Sequence, residues 1–274
     1  MGSDLEIGLL GPVRVVLDGR PVTVAAPRRQ VALSALALTP GRAVSTATLT
    51  RYLWGEEPPA LARRALSTIV TRVRQDLGTD VISSAAGGYT LAVPRHTVDV
   101  FQFRTLACEA RYAEPATALD LLDRALACWR GRPLQDVGSE WLVAEHAPGL
   151  TEEWYAATER RIDLLLAAGV HGDLLPQLRD LTAQQPLRES LWGRLMVALY
   201  RSGRQAEALE TYQSVREVLV DQLGVGPGEE LRSLHRAVLT NDPAIAAPVT
   251  VTRPTRPAGR DLRVRLRARL RPRR

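Results

Sequence analysis

The segment from residue 58 to residue 93 constrains the fold of this chain more than any other stretch. Residues 61–77 have helical periodicity, with an apolar face that consists of Leu66, Val70, Val73 and Leu77. The opposite face carries no acidic residue, and each of its side chains can donate a hydrogen bond. Its members are Arg64, Ser67, Thr68, Thr71, Arg72 and Gln75. Because Gly78 follows, the pattern predicts an amphipathic helix that ends there.

The residues around this helix predict two small β-structures and two more helices. Residues 81–84 and 89–93 flank a turn that contains two glycines, which is typical of a β-hairpin. Apolar alternation on both sides of the Asp18-Gly19 turn predicts an antiparallel sheet within residues 5–24, with its third strand at 22–24. The further helices are expected at residues 28–38 and after an N-cap at Ser45. This order indicates an α+β winged helix: an N-terminal sheet, three helices and a β-hairpin wing.

A helix with outward arginines and hydroxyls beside a small wing is suited to the major groove of DNA. Arginine can donate two hydrogen bonds to guanine O6 and N7, and serine or threonine can contact base edges or a thymine methyl group. We therefore expect the acid-free face of residues 61–77 to read DNA bases. The alternative is a solvated helix face in a domain that does not bind DNA.

A second group of residues is expected to contact DNA phosphates or to form the wing. Its members are Arg28, Arg29, Arg42, Arg51, Arg63, Arg74, Gly87, Gly88 and Tyr89. The two glycines permit positive φ and a close approach to the DNA backbone, whereas the Tyr89 ring is favoured as an anchor of the hairpin. Arg74 lies nearer the buried side of the helix, so its expected role is structural or phosphate-directed.

Charge divides the chain into three parts. Residues 1–97 have a net charge of +4, residues 98–242 of −7 and residues 243–274 of +9. We interpret the first part as the DNA-binding domain and the second as a separate domain. The third is rich in proline and arginine and predicts a disordered basic tail, which either attracts nucleic acid or anionic membranes or serves only solubility.

Composition argues against an enzyme. All 36 basic residues are arginine, which excludes a Walker-A lysine, a Schiff base and a Ser-Lys dyad. The histidines and the two cysteines lack metal-ligand spacing, no catalytic triad context is found, and no cofactor is expected; both cysteines are expected to pack in the core. There is no apolar run near 18 residues and no secretory pattern, which predicts a cytoplasmic, nucleoid-associated protein without a membrane partner.

Residues 98–242 have a helical repeat. Gly169 and Gly203 are 34 residues apart, and so are Leu178 and Tyr212, which is the spacing of tetratricopeptide repeats. Such repeats stack antiparallel helix pairs into an array with a concave surface. The second domain is therefore expected to be an all-α, tetratricopeptide-like helical repeat domain.

Two stretches of the chain resemble known bacterial domains. Residues 65–74 and the wing at 88–91 resemble the OmpR-type winged helix. PLRESLW at 186–192, the stretch 195–209 and LGVGPGEEL at 223–231 resemble the bacterial transcriptional activation domain, supported by WRGRPL at 129–134. In this order they are similar to the antibiotic regulatory protein (SARP) family of actinobacterial activators, of the small type. The chain departs from the common pattern at Arg64, where an Asn often stands.

This resemblance implies a transcriptional activator of a secondary-metabolite (antibiotic) gene cluster. It implies binding to double-stranded DNA at direct repeats near the promoter −35 element, by two protomers that lie side by side. It also implies contact with RNA polymerase and its σ factor. An alternative is a tetratricopeptide-type sensor or scaffold, in which a ligand or peptide bound by residues 98–242 controls DNA binding.

Overall fold

The chain folds as a small α+β unit followed by a helical array, as expected. The computed structural model describes residues 5–24, 26–85 and 87–246. Its strands are β1 Leu5–Gly8, β2 Arg14–Leu17, β3 Arg20–Pro21, β4 Ala43–Ser45, β5 Ile82–Ala85 and β6 Gly88–Leu91. Its α-helices are α1 Pro27–Ala37, α2 Thr46–Trp54, α3 Ala62–Leu77, α4 Asp99–Glu109, α5 Pro115–Ala127, α6 Glu140–Ala167, α7 Leu175–Gln184, α8 Glu189–Arg201, α9 Gln205–Leu223 and α10 Glu229–Thr240.

Two antiparallel sheets frame the first three helices. The first has the order β1-β2-β3 and turns at Asp18 and Gly19, which both have positive φ. Its third strand is Arg20–Pro21, so the expectation of a strand at 22–24 was wrong. The ladder closes with one bond from Val22 N to Val15 O, at 2.9 Å.

The second sheet contains a strand that the sequence did not predict. Its order is β4-β6-β5, so the short β4 before α2 pairs with the second strand of the wing. Ser45 ends β4 and also caps α2, since its Oγ accepts from Thr48 N at 3.0 Å. The wing is therefore held against the helices by backbone hydrogen bonds.

The helical array has two groups of buried side chains that meet at α6. The first group runs without a break from the sheets and α1–α3 into α4, α5 and part of α6. The second joins the other part of α6 to α7–α10. The first group contains buried side chains from both sides of residue 97. The domain boundary at that residue therefore stays a prediction.

The 34-residue spacing corresponds to equivalent structural positions. Gly169 follows α6 and Gly203 follows α8, each with positive φ, at 83° and 76°. Leu178 in α7 and Tyr212 in α9 are both buried in the second group. The predicted winged helix followed by a helical repeat domain is thus confirmed.

The expectations for the cysteines, for the tail and for membrane spans have different outcomes. Cys108 is exposed, so its expected place in the core was wrong, while Cys128 is half-buried. Pro243–Ile245 form a short 3₁₀ helix, and Ile245 packs on the second buried group, so this start of the predicted tail is ordered. Residues 247–274 of that tail lie outside the described residues. Among the described residues, no helix has the length and apolar character needed to cross a membrane.

Candidate nucleic-acid interface

Helix α3 presents its acid-free face to solvent. Its apolar face, Leu66, Val70, Val73 and Leu77, is buried. Each such side chain contributes about 1.5–3 kcal/mol of burial free energy. The six side chains predicted to read bases are all exposed: Arg64, Ser67, Thr68, Thr71, Arg72 and Gln75. The burial that fixes one face of the helix therefore also fixes the direction of the other.

Hydrogen bonds within α3 change which donors and acceptors its exposed face presents. The Thr68 hydroxyl donates to Arg64 O at 3.0 Å, and the Thr71 hydroxyl donates to Ser67 O at 2.8 Å. The two threonines thus present acceptor lone pairs and methyl groups outward, and not the donors expected from the sequence. Within the described residues, the Arg64 guanidinium makes no hydrogen bond, and Arg72 donates once, to Gln75 Oε1 at 3.1 Å. The available donors of this face are therefore mainly arginine N–H groups.

The predicted phosphate contacts separate into free and engaged arginines. Arg42 and Arg63 are exposed, and Arg28 lies over the Trp54 ring at 5.7 Å. Arg29 instead pairs with Asp76 at 2.6 Å, which neutralises the acid near the end of α3 and joins α1 to it. Arg51 pairs with Glu145 of α6 at 2.7 Å. Tertiary ion pairs thus engage two of the cations that the sequence had assigned to DNA.

The wing residues also have distinct positions. Gly87 is exposed at the tip with φ +87°, which suits a glycine. Gly88 is buried, and an added Cβ would lie 2.2 Å from Val44 O. A glycine is therefore required at position 88 because β4 lies so close. This reason differs from the expected one, a close approach to the DNA backbone. Tyr89 is half-buried and packs against the first buried group, as an anchor would.

Arg74 fastens the wing to α3. Its Nε donates to Ile82 O and its Nη2 donates to Ser84 Oγ, both at 2.9 Å. This is a structural position, consistent with its place near the buried side of the helix. The bonds hold the wing at a fixed angle to the exposed face of α3.

Replacing Arg74 by alanine is expected to loosen the wing. Two hydrogen bonds worth about 1 kcal/mol each are lost, so amide exchange in β5 and β6 should accelerate about tenfold or more. Hydrogen exchange followed by mass spectrometry measures this. Arg216→Ala, an exposed arginine of α9, is the control and should leave the wing unchanged. Equal exchange in both variants would contradict the role assigned to Arg74.

No sequence pattern predicted the contacts that fix the winged helix against the helical array. Asp99, the first residue of α4, accepts from Leu9 N at 2.8 Å and Leu10 N at 3.0 Å. Arg130 donates to the same carboxylate at 3.2 Å and to Pro12 O at 2.7 Å. Burial raises the pKa of the Asp99 carboxyl, while these donors act in the opposite direction. No local pattern indicates such a pairing, because the partners lie about 90 positions apart.

A second set of contacts joins α2 to α6. The Ser139 hydroxyl donates to Tyr52 O at 2.6 Å and caps α6. The Tyr52 hydroxyl lies 3.3 Å from His146 Nε2. Burial and the nearby Glu145 raise the pKa of Tyr52 to about 12, and burial lowers the pKa of His146, so the neutral ring can accept from the hydroxyl. The orientation of α3 is thus linked, through α2, to the helical array.

Comparisons with known proteins found relatives that match most of the chain. Residues 98–239 match the family described as the bacterial transcriptional activator domain. The regulatory protein DnrI of Streptomyces peucetius is 36% identical, over 88% of this chain and 94% of its own length. The transcriptional regulator RedD of Streptomyces coelicolor is 35% identical, over 95% of this chain and 78% of its own length.

Two longer proteins also contain a region that is similar to this chain. The regulatory protein AfsR of Streptomyces coelicolor is 40% identical over 88% of this chain, which spans only 25% of AfsR. A solved structure of Mycobacterium tuberculosis EmbR, in complex with a low-affinity phosphopeptide, matches with a TM-score of 0.83 and 32% identity. That match covers 88% of this chain and 66% of the EmbR chain.

Proposed function

The chain belongs to the SARP family of transcriptional regulators, and from this premise we propose that it binds DNA in a sequence-specific manner and activates a secondary-metabolite gene cluster. The relatives DnrI and RedD are named as regulators and not as enzymes. The observation that carries the proposal is the exposed, acid-free face of α3, with its uncommitted arginine N–H groups beside a firmly held wing.

The proposed reading of DNA follows from the geometry of this face. Arg64 and Arg72 donate to guanine edges, while Thr68 and Thr71 offer methyl groups and acceptors to neighbouring bases. Ser67 and Gln75 complete the reading surface. The exposed residues Arg28, Arg42, Arg63 and Gly87 are the proposed phosphate contacts. Arg29, Arg51 and Arg74 are engaged within the protein and are not assigned to phosphates.

The helical array is the proposed activating part. Two protomers bind direct repeats near the −35 element, side by side, at the cytoplasmic nucleoid. The residues from 98 to 242 carry a net charge of −7, which complements positively charged surfaces of RNA polymerase, its σ factor or the adjacent protomer. The hydrogen bonds of Asp99 and Ser139 connect the winged helix to this array.

Footprinting followed by transcription in vitro tests the proposal. Promoters adjacent to the protein's own gene are expected to show two protected repeats, with centres a multiple of about 10 base pairs apart, because protomers on one face follow the helical turn. The protein should then raise transcription by purified polymerase holoenzyme from that promoter. Protection without increased transcription would contradict activation, and absence of protection at every such promoter would contradict promoter recognition.

The neighbours Arg63 and Arg64 provide a matched test of phosphate against base contacts. Arg63→Ala is expected to weaken specific and non-specific duplexes alike and to reduce the slope of log K against log salt by about 0.9. Arg64→Ala should mainly reduce the preference for the specific site, since it removes a base contact. Salt titrations by fluorescence anisotropy measure both. Identical behaviour of the two variants would reject the assignment.

A further inference from the structure

A cleft outside the DNA-binding surface lies at the junction of the two buried groups. It is bounded by α5, α6, α7 and the loop between α5 and α6, with a volume of about 700 Å³. That size is within the range of small-molecule sites. Trp129, Trp154 and Tyr155 supply its aromatic walls, with edge-to-face contacts at centroid distances of 6.3 and 4.9 Å. The proposed binding of DNA and polymerase makes no use of this cleft.

Two residues that line the cleft each hold a donor atom that has almost no accessible surface and no acceptor in the described part of the chain. Trp129 Nε1 and Thr158 Oγ1 are buried and make no hydrogen bond within the described residues. Thr158 is only 1% exposed. Buried donors are nearly always paired, and an unpaired one costs about 1–3 kcal/mol. A ligand that brings an oxygen acceptor between these walls would remove this cost.

The rim of the cleft supplies positive charge. Arg132 is exposed, lines the cleft and makes no ion pair within the part of the chain that the structure describes. Arg161, also on the rim, is held by Asp123. A ligand with an anionic group at its outer end would therefore find one uncommitted guanidinium.

We propose that this cleft binds a planar aromatic acid that carries an oxygen acceptor at the end opposite its carboxylate. The ring lies against Trp129, Trp154 and Tyr155. The inner oxygen displaces the atoms that cover Trp129 Nε1 and Thr158 Oγ1 and accepts from both, and the carboxylate faces Arg132.

The same loop that lines the cleft is bonded to the DNA-binding unit. Arg130 N donates to Leu10 O at 2.7 Å and Leu134 N donates to Leu9 O at 2.8 Å. Leu134 has a φ of +57°, a strained value for a residue with a side chain. The cleft continues past Pro133 towards Ser139, whose hydroxyl bonds to Tyr52 O. Ligand binding is therefore coupled to the position of the winged helix, and this coupling step rests on the proposed function.

Calorimetric titration with 6-hydroxy-2-naphthoate tests the site on the full chain. We expect one molecule to bind per chain. Thr158→Val keeps the side-chain volume and should weaken binding about tenfold, the effect of one hydrogen bond. Trp129→Phe should act similarly. 2-Naphthoate, which lacks the hydroxyl, should bind the native protein about tenfold more weakly and be insensitive to Thr158→Val.

The matched control is Thr182→Val. Thr182 is equally buried, but its hydroxyl donates to Leu178 O at 3.0 Å, away from the cleft. This variant should bind 6-hydroxy-2-naphthoate like the native protein. No one-to-one binding, or equal weakening by both threonine variants, would overturn the proposed site.

DNA affinity reports the coupling. 6-Hydroxy-2-naphthoate should change the affinity of the native protein for its promoter, and the concentration that gives half of this change should be about tenfold higher for Thr158→Val. An unchanged native affinity would overturn the coupling. If the chain binds the naphthoate but no promoter, the proposed function is contradicted. The proposed ligand site is not, because calorimetry measures it without DNA.

Discussion

The double substitution Arg64→Ala and Arg72→Ala is expected to lower affinity for the specific promoter site about 100-fold or more. Each arginine that contacts a guanine with two bonds contributes about 1–3 kcal/mol of discrimination. Both side chains are exposed, so their loss leaves the buried face of α3 intact. The hydroxyls of Thr68 and Thr71 already donate within the helix and are not available to compensate.

Fluorescence anisotropy on the footprinted site and on a scrambled duplex measures this effect. The preference for the specific site should fall, and circular dichroism should show an unchanged helix content. Arg216→Ala Arg236→Ala removes the same charge from α9 and α10 and serves as the control. If both double variants lose the same affinity on both duplexes, net charge and not base reading determines binding.

The substitution Asp99→Ala is expected to lower the free energy of unfolding by about 3 kcal/mol. It removes one carboxylate that accepts from Leu9 N, Leu10 N and Arg130. Leu9 N and Leu10 N then lose their acceptor and Arg130 keeps only its bond to Pro12 O, and breaking such a group typically costs several kcal/mol. The affected bonds join the two residues after β1 to the start of α4, so the winged helix also loses a contact that positions it.

Urea denaturation followed by circular dichroism measures this loss. The matched control is Asp120→Ala on α5, whose carboxylate pairs with Arg124 at 3.6 Å and is largely exposed. An exposed pair of this kind contributes about 0–1 kcal/mol. Equal destabilisation by the two substitutions would show that the three donors at Asp99 add nothing to stability.

Much of the fold followed from local patterns. The apolar faces of α3, the Asp-Gly turn and the 34-residue spacing each predict an element or a repeat that the structure contains. The strand β4 was missed because three residues before a helix carry no detectable alternation, and it becomes a strand only by pairing with β6. Cys108 was misplaced because a helical pattern does not say which neighbour, if any, covers a given face.

The candidate interface was predicted in part. Every side chain assigned to base reading lies on the exposed face of α3, since the period of the helix fixes both faces together. The arginines assigned to phosphates were less predictable, because any exposed cation near a DNA-binding helix fits that description. Arg29 and Arg51 turn out to be engaged with Asp76 and Glu145.

The sequence by itself determined helix α3, the wing and the repeat, because these depend on contacts between residues a few positions apart. The tertiary structure alone decided which arginines remain free, and that Asp99 and Ser139 join the two parts. Those choices involve partners 47 to 94 positions away, whose proximity depends on how the helices pack. The tertiary structure also brings Trp129 and Thr158 to one cleft, and it leaves one buried donor of each residue without an acceptor among the residues described.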